Sequence, residues 1–106
     1  MIDVAPEHLE IVLALLSKYL PECEVRAFGS RFSGIAKPYS DLDLAVVGKN
    51  TLDWRTLAEL KETFQESELP FRVDLLDWNA ISDEFRTVIE KNGYEVISGI
   101  SSARRT

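Results

Sequence analysis

The spacing of apolar positions changes several times along the chain, and each change marks an element. From Pro6, a residue suited to the first turn of a helix, Leu9, Val12, Leu13, Leu16 and Leu20 recur at helical spacing until Pro21 stops the pattern. Ile11 and Leu15 fall off that stripe and widen the apolar surface, more than one packed sheet face needs. Glu24 to Phe28 alternates as a short strand and ends at Gly29-Ser30. Ser30 to Ala36 suits a short helix interrupted by Gly34, and Lys37-Pro38-Tyr39-Ser40 is a turn. Asp41 to Val47 starts acidic and becomes wholly apolar, as a central strand covered on both faces does. After the Gly48-Lys49-Asn50 loop, Asp53 caps a helix carrying Trp54, Leu57, Leu60 and Phe64. Pro70 precedes a strand from Phe71 to Leu76. Ile81, Phe85, Val88 and Ile89 mark a further helix, stopped by Asn92-Gly93, and Tyr94 to Ile97 adds a last short strand. Helices and strands alternate, so the chain reads as an α/β domain with a small central sheet.

Composition narrows this picture. With 106 residues, 45% of them hydrophobic and 28% charged, the chain has room for one core. Residues 1–100 read as one domain and 101–106, small, polar and basic, as a flexible tail. The net charge of -6 argues against direct binding of nucleic acid, which needs clustered Lys and Arg. A nucleotide stays possible, because metal ions can meet its charge. One cysteine, Cys23, forms no internal disulfide and reads as a partly buried thiol in a reducing, cytoplasmic setting. The acidic N-terminus is not a signal peptide, and no apolar run approaches the ~20 residues that span a membrane.

The chemistry gathers in three places. Phe28-Gly29-Ser30 runs from a strand through glycine into a helix start, where free N–H groups suit an anion and glycine lets it approach. On its own the pair is an ordinary helix cap. Ser40-Asp41-Leu42-Asp43-Leu44 places two acids two residues apart on one strand face, where they repel unless a cation such as magnesium neutralises them. An isolated Asp-x-Asp is more often a solvated strand entrance. Arg72-Val73-Asp74-Leu75-Leu76-Asp77 puts a third acid in the middle of a later strand, where an unpaired charge is costly. If that strand lies beside the Asp41 strand, the three acids form one cluster. The alternative is a surface pair between Asp74 and Arg72. Asp77 falls on the opposite face and reads as a capping or turn residue. Arg31, Lys37 and Arg72 are the cations nearest these motifs, with Arg31 favoured as a phosphate contact by its place in the first helical turn. His8 reads as surface, Trp54 and Trp78 as core or interface, and Tyr39 as either pocket lining or turn packing.

Gly29-Ser30, ten intervening residues, Asp41-x-Asp43 and a later acid resemble the signature of the DNA polymerase beta-like nucleotidyltransferases. Phe28 to Gly34 and Tyr39 to Leu44 are similar to the minimal nucleotidyltransferases, short partners of HEPN-domain proteins. The likeness spans roughly Leu9 to Gly93. It implies the nucleotidyltransferase fold, a small mixed central sheet with flanking helices. It implies that Gly29 and Ser30 grip a triphosphate. It implies that Asp41 and Asp43 bind metal and that Asp74 binds the catalytic metal and activates the attacking hydroxyl. The expected reaction moves a nucleoside monophosphate, AMP from ATP, with two magnesium ions and pyrophosphate leaving.

Three readings stay open. The chain adenylylates a hydroxyl of a HEPN-family toxin, as its antitoxin and in a hetero-oligomer with it. Or it is a non-catalytic nucleotide-binding module that neutralises that partner by occlusion. Or it modifies a small molecule, as aminoglycoside nucleotidyltransferases do, although those are longer. The sequence does not choose the nucleotide, the acceptor or the oligomeric state.

Overall fold

A computed structural model describes residues 2–99. The proposed tail at 101–106 lies outside the described residues. Four helices and four strands alternate: α1 (Pro6–Tyr19), β1 (Glu24–Phe28), α2 (Ser30–Ser33), β2 (Leu42–Val47), α3 (Trp54–Gln65), β3 (Val73–Asp77), α4 (Asp83–Asn92) and β4 (Glu95–Ser98). The strands form one sheet in the order β3-β2-β1-β4. β1 runs antiparallel to both β2 and β4, whereas β2 and β3 are parallel, so the sheet is mixed. This is the α/β architecture with a small mixed sheet and flanking helices expected from the sequence.

Local signals set the boundaries. Pro6 opens α1, Asp53 caps α3 by accepting from the Thr56 amide, and Ser82 caps α4 by accepting from the Phe85 amide. Gly34 ends α2 in the left-handed conformation after only four residues, shorter than the Ser30–Ala36 expectation. β2 begins at Leu42, so Asp41 stands just outside it. β3 and β4 are each displaced toward the C-terminus from their expected starts at Phe71 and Tyr94.

Period-two alternation gives the sheet two unlike faces. Val25 and Ala27 of β1, Leu42, Leu44 and Val46 of β2, and Leu75 of β3 form one face and are buried. Val12 and Leu16 of α1 and Leu60 and Phe64 of α3 pack with them in the same core cluster. Burying side chains of this size stabilises by about 1.5–3 kcal/mol each. Leu15, off the α1 stripe, also packs against this core, because α1 meets both the sheet and α3. Neither Leu15 nor Ile11 stands exposed, contrary to the expectation of spare apolar surface on α1. The opposite face carries Arg26, Phe28, Asp43, Ala45, Asp74 and Leu76. Over β1 this face is covered: the Phe85 ring of α4 meets Phe28 edge-on at 6.2 Å, and the Arg26 guanidinium lies 4.8 Å from the Trp78 ring and 4.6 Å from Tyr94. Among the described residues, no helix is long and apolar enough to cross a membrane.

Candidate functional site

The site grows from the uncovered part of that second face. Parallel pairing sets Asp43 of β2 opposite Asp74 of β3 in register, so their side chains leave the same face as neighbours. Asp41 precedes β2 by one residue and shares the face of Asp43 by alternation. Asp74 is exposed, while Asp41 and Asp43 are half-buried. Asp74 makes no ion pair with Arg72 among the described residues, so the surface-pair alternative does not hold. The Asp43 carboxyl is pushed up to about 6 from its ordinary 3.8, first by burial, then by the charges of Asp74 and Asp41. Among the described residues no three acid, His or Cys side chains already converge on one point.

The Gly29–Ser30 turn closes over these acids. Gly29 has φ +78°, a conformation that other residues rarely adopt. A Cβ there would collide with the Asp43 carboxylate oxygen and lie 3.2 Å from Asp43 Cγ. Antiparallel register explains this proximity, because Phe28 pairs with Asp43 and the chain then turns across it. α2 is a single turn, so a summed helix dipole contributes little. What the turn offers is local: the N–H groups of Ser30 and Arg31 have no acceptor within a helix, and the Ser30 hydroxyl stands beside them.

Arg31 departs from its expected role as a phosphate contact. It is 6% exposed, and its guanidinium donates to the carbonyls of Ser40 (2.9 Å), Asp3 (2.7 Å) and Pro38 (3.0 Å) while lying 4.2 Å from the Phe71 ring. Three carbonyls in loops without ladder partners require donors, and a planar fork supplies them in one place. Arg31 therefore pins the 37–40 loop that delivers Asp41. Lys37 is exposed, whereas Arg72 lines a cleft of about 740 Å³ together with Asp41, Asp74, Tyr39 and Lys61. Nothing in the sequence points to Lys61, because only the packing of α3 beside β3 brings it there.

The remaining singled-out residues fall elsewhere. Asp77 is buried and accepts from the amides of Leu52 (2.8 Å) and Asn79 (3.0 Å), the turn role expected of it. His8 is half-buried against Phe71 rather than free on the surface. Trp54 is 70% exposed and so is not core, and Tyr39, 82% exposed, borders the cleft instead of packing a turn. Cys23 is half-buried, with its thiol pushed up by burial and by Asp77 and Glu22.

Comparison with known proteins shows the family and the fold. Residues 14–99 match the family described as "Polymerase beta, Nucleotidyltransferase". A protein of Haemophilus influenzae named "Probable protein adenylyltransferase MntA" is 50% identical over 90 residues, covering 85% of this chain and 79% of its own length. A crystal structure of a toxin–antitoxin with AMP-PNP superposes with TM-score 0.72 at 27% identity, covering 93% of this chain and 77% of the other. A structure of the tri-AMPylated Shewanella oneidensis HEPN toxin in complex with MNT antitoxin gives TM-score 0.66 at 26% identity, covering 92% and 74%.

Proposed function

The chain belongs to the polymerase beta nucleotidyltransferase family, and from that premise we propose that it transfers AMP from ATP to a hydroxyl of a HEPN-domain partner, as the antitoxin of that pair. The relative named as a protein adenylyltransferase and the toxin–antitoxin neighbours support this reading. The observation that carries it is the contact between two motifs. The Gly29 backbone lies so close over Asp43 that a side chain has no room, so a triphosphate resting on the turn meets the acids at once.

Each residue then has a task. The N–H groups of Ser30 and Arg31 and the Ser30 hydroxyl donate to phosphate oxygens. Asp41, Asp43 and Asp74 would hold magnesium, and the donor set fits: hard carboxylate oxygens on two adjacent strands and just before one of them, one with a raised pKa that a cation would lower. Bound magnesium supplies charge to offset that developing on the α-phosphoryl group. Asp74, exposed at the cleft, accepts the proton as the acceptor O–H bond breaks and the new O–P bond forms. The bond from the α-phosphorus to the bridging oxygen breaks, and that electron pair leaves with pyrophosphate. The setting is cytoplasmic, and the partner completes an enclosure that a domain of this size does not provide alone.

Co-expression with a HEPN-domain partner tests this. The partner should gain the mass of one or more AMP groups with the parental chain and none with Asp41→Asn plus Asp43→Asn. A stable complex whose partner stays unmodified in both cases refutes transfer and leaves neutralisation by occlusion.

A further inference from the structure

Residues 2–4, which precede α1, lie against the site rather than away from it. Ile2 is buried in the core cluster, and Val4 packs against the same cluster. Asp3 between them is exposed, and what it offers the protein is its backbone. Its N–H donates to the Arg31 carbonyl at 2.7 Å, and its carbonyl accepts from the Arg31 guanidinium at 2.7 Å. Among the described residues its carboxylate has no hydrogen bond or ion pair. Arg31 stands where this segment meets the chemistry. Its own N–H is one of the free donors at the phosphate turn. Its side chain reaches the carbonyls of Pro38 and of Ser40, the residue before Asp41, and lies 4.2 Å from the Phe71 ring just ahead of β3.

We infer that residues 2–4 are a strap that positions the nucleotide site: by holding Arg31 through both its backbone and its side chain, they fix the phosphate turn and the Asp41 loop relative to each other. The inference rests on the reading of Gly29–Ser30 and the three acids as that site. Neither Ile2 nor Asp3 lines the cleft at Asp74, so both act through Arg31 as positioning residues. The strap is anchored by an apolar side chain on each side of Asp3, which sets where the Asp3 carbonyl stands. A rigid guanidinium fork that serves three carbonyls at once cannot follow one of them alone. Without the strap a buried cation keeps two acceptors of three, and the fork and the loop it holds shift to satisfy the rest. Placement matters at this scale, since a misplacement of about 1 Å costs on the order of 10²-fold in rate.

Amide hydrogen exchange and calorimetry with magnesium and ATP, both on the full chain, test the inference. Asp3→Pro removes the donor to the Arg31 carbonyl, and Ile2→Ser releases the same segment by its anchor. The amides of Lys37 and Ser40 close the loop before Asp41 on the Ser40 hydroxyl and the Lys37 carbonyl. In both variants these two amides should exchange on the order of tenfold faster, and affinity for magnesium–ATP should fall on the order of tenfold. Asp3→Ala keeps both backbone groups and should match the parent in both readouts. Leu20→Ala, a core truncation at the far end of α1, should lower the denaturation midpoint yet leave the two amides and the affinity unchanged. Parental exchange at Lys37 and Ser40 in Asp3→Pro overturns the strap, as does a faster loop that binds magnesium–ATP like the parent. An equal loss in Asp3→Ala overturns it too, and an equal loss in Leu20→Ala traces the effect to general destabilisation and overturns it likewise. A parent that binds no magnesium–ATP refutes the proposed function instead, and the exchange rates then still decide whether the strap holds the loop.

Discussion

Replacing Asp43 with asparagine should make the unliganded protein more stable while destroying its nucleotide site. Burial and the charges of Asp74 and Asp41 raise the Asp43 carboxyl from 3.8 to about 6. A carboxyl with a higher pKa folded than unfolded holds its proton more tightly in the folded state. Its contribution to stability is fully present below the unfolded value and is lost as pH rises through the folded one, here between about 4 and about 6. The span from 3.8 to about 6 bounds the cost of the ionised group at neutral pH near 3 kcal/mol. Asp43 is only half-buried and water screens it, so about 1 kcal/mol is the reasonable expectation. Asparagine has the same shape and fits under Gly29 without the charge.

The assay is urea denaturation of parent and Asp43→Asn in EDTA at about pH 4 and about pH 7.5. The two should match at the acidic pH. At the higher pH the variant should gain about 1 kcal/mol, or about 4–8 °C in a parallel thermal scan. Magnesium and ATP at a hundredfold excess over Kd should then add about 2.7 kcal/mol to the parent and nothing to the variant, reversing their order. A variant no more stable than the parent at the higher pH would show that the Asp43 carboxylate is neither penalised by burial nor repelled by its neighbours, and the cation argument would fall with it.

Four further outcomes follow from the geometry. Asp74→Asn should lower transfer to the partner by a factor on the order of 10² with the fold intact, read by intact mass against time. Ser30→Ala removes one donor and should weaken triphosphate binding by about 1–2 kcal/mol in calorimetry, whereas Gly29→Ala should lose both binding and stability, because its Cβ meets the Asp43 carboxylate. Arg31→Lys should destabilise by about 2–4 kcal/mol in denaturation, since one ammonium does not reach three carbonyls, and should weaken nucleotide binding only through the displaced 37–40 loop.

The strands and their order of appearance were legible because β1 and β2 carry unbroken alternation or apolar runs, and the acids interrupt them at fixed places. Pairing of Asp43 with Asp74 was legible only as a condition, namely that β3 lies beside β2; parallel register meets it. Arg31 was misread for a physical reason. Its position in the first turn of α2 suggests phosphate, but the backbone carbonyls of Asp3, Pro38 and Ser40 reach it first, and carbonyls in loops leave no trace in a residue pattern. Lys61 and the groove at Ile35 and Val88 were invisible for the same reason, since each depends on how one helix packs beside a distant segment.

The case for a partner shows where periodicity stops being informative. Ile11 and Leu15 looked like surplus apolar surface, because a helix on one sheet face needs only one stripe. α1 has two neighbours, the sheet and α3, so Leu15 is taken up by the core, while Ile11 is half-buried outside the core cluster and speaks for no partner alone. The apolar side chains that do face water lie elsewhere, on the 35–39 loop, on α4, at the start of α3 and on the edge strand β4. Ile35, Phe85 and Val88 line one groove between α2 and α4. Trp54, Tyr39 and Val96 then remain, spread over separate elements, and each is small enough alone to be ordinary surface. Association is therefore argued from the toxin–antitoxin neighbours and from an acceptor that must reach Asp74 through the cleft at β3, and a partner docked there would seat its hydroxyl beside Arg72 and Lys61.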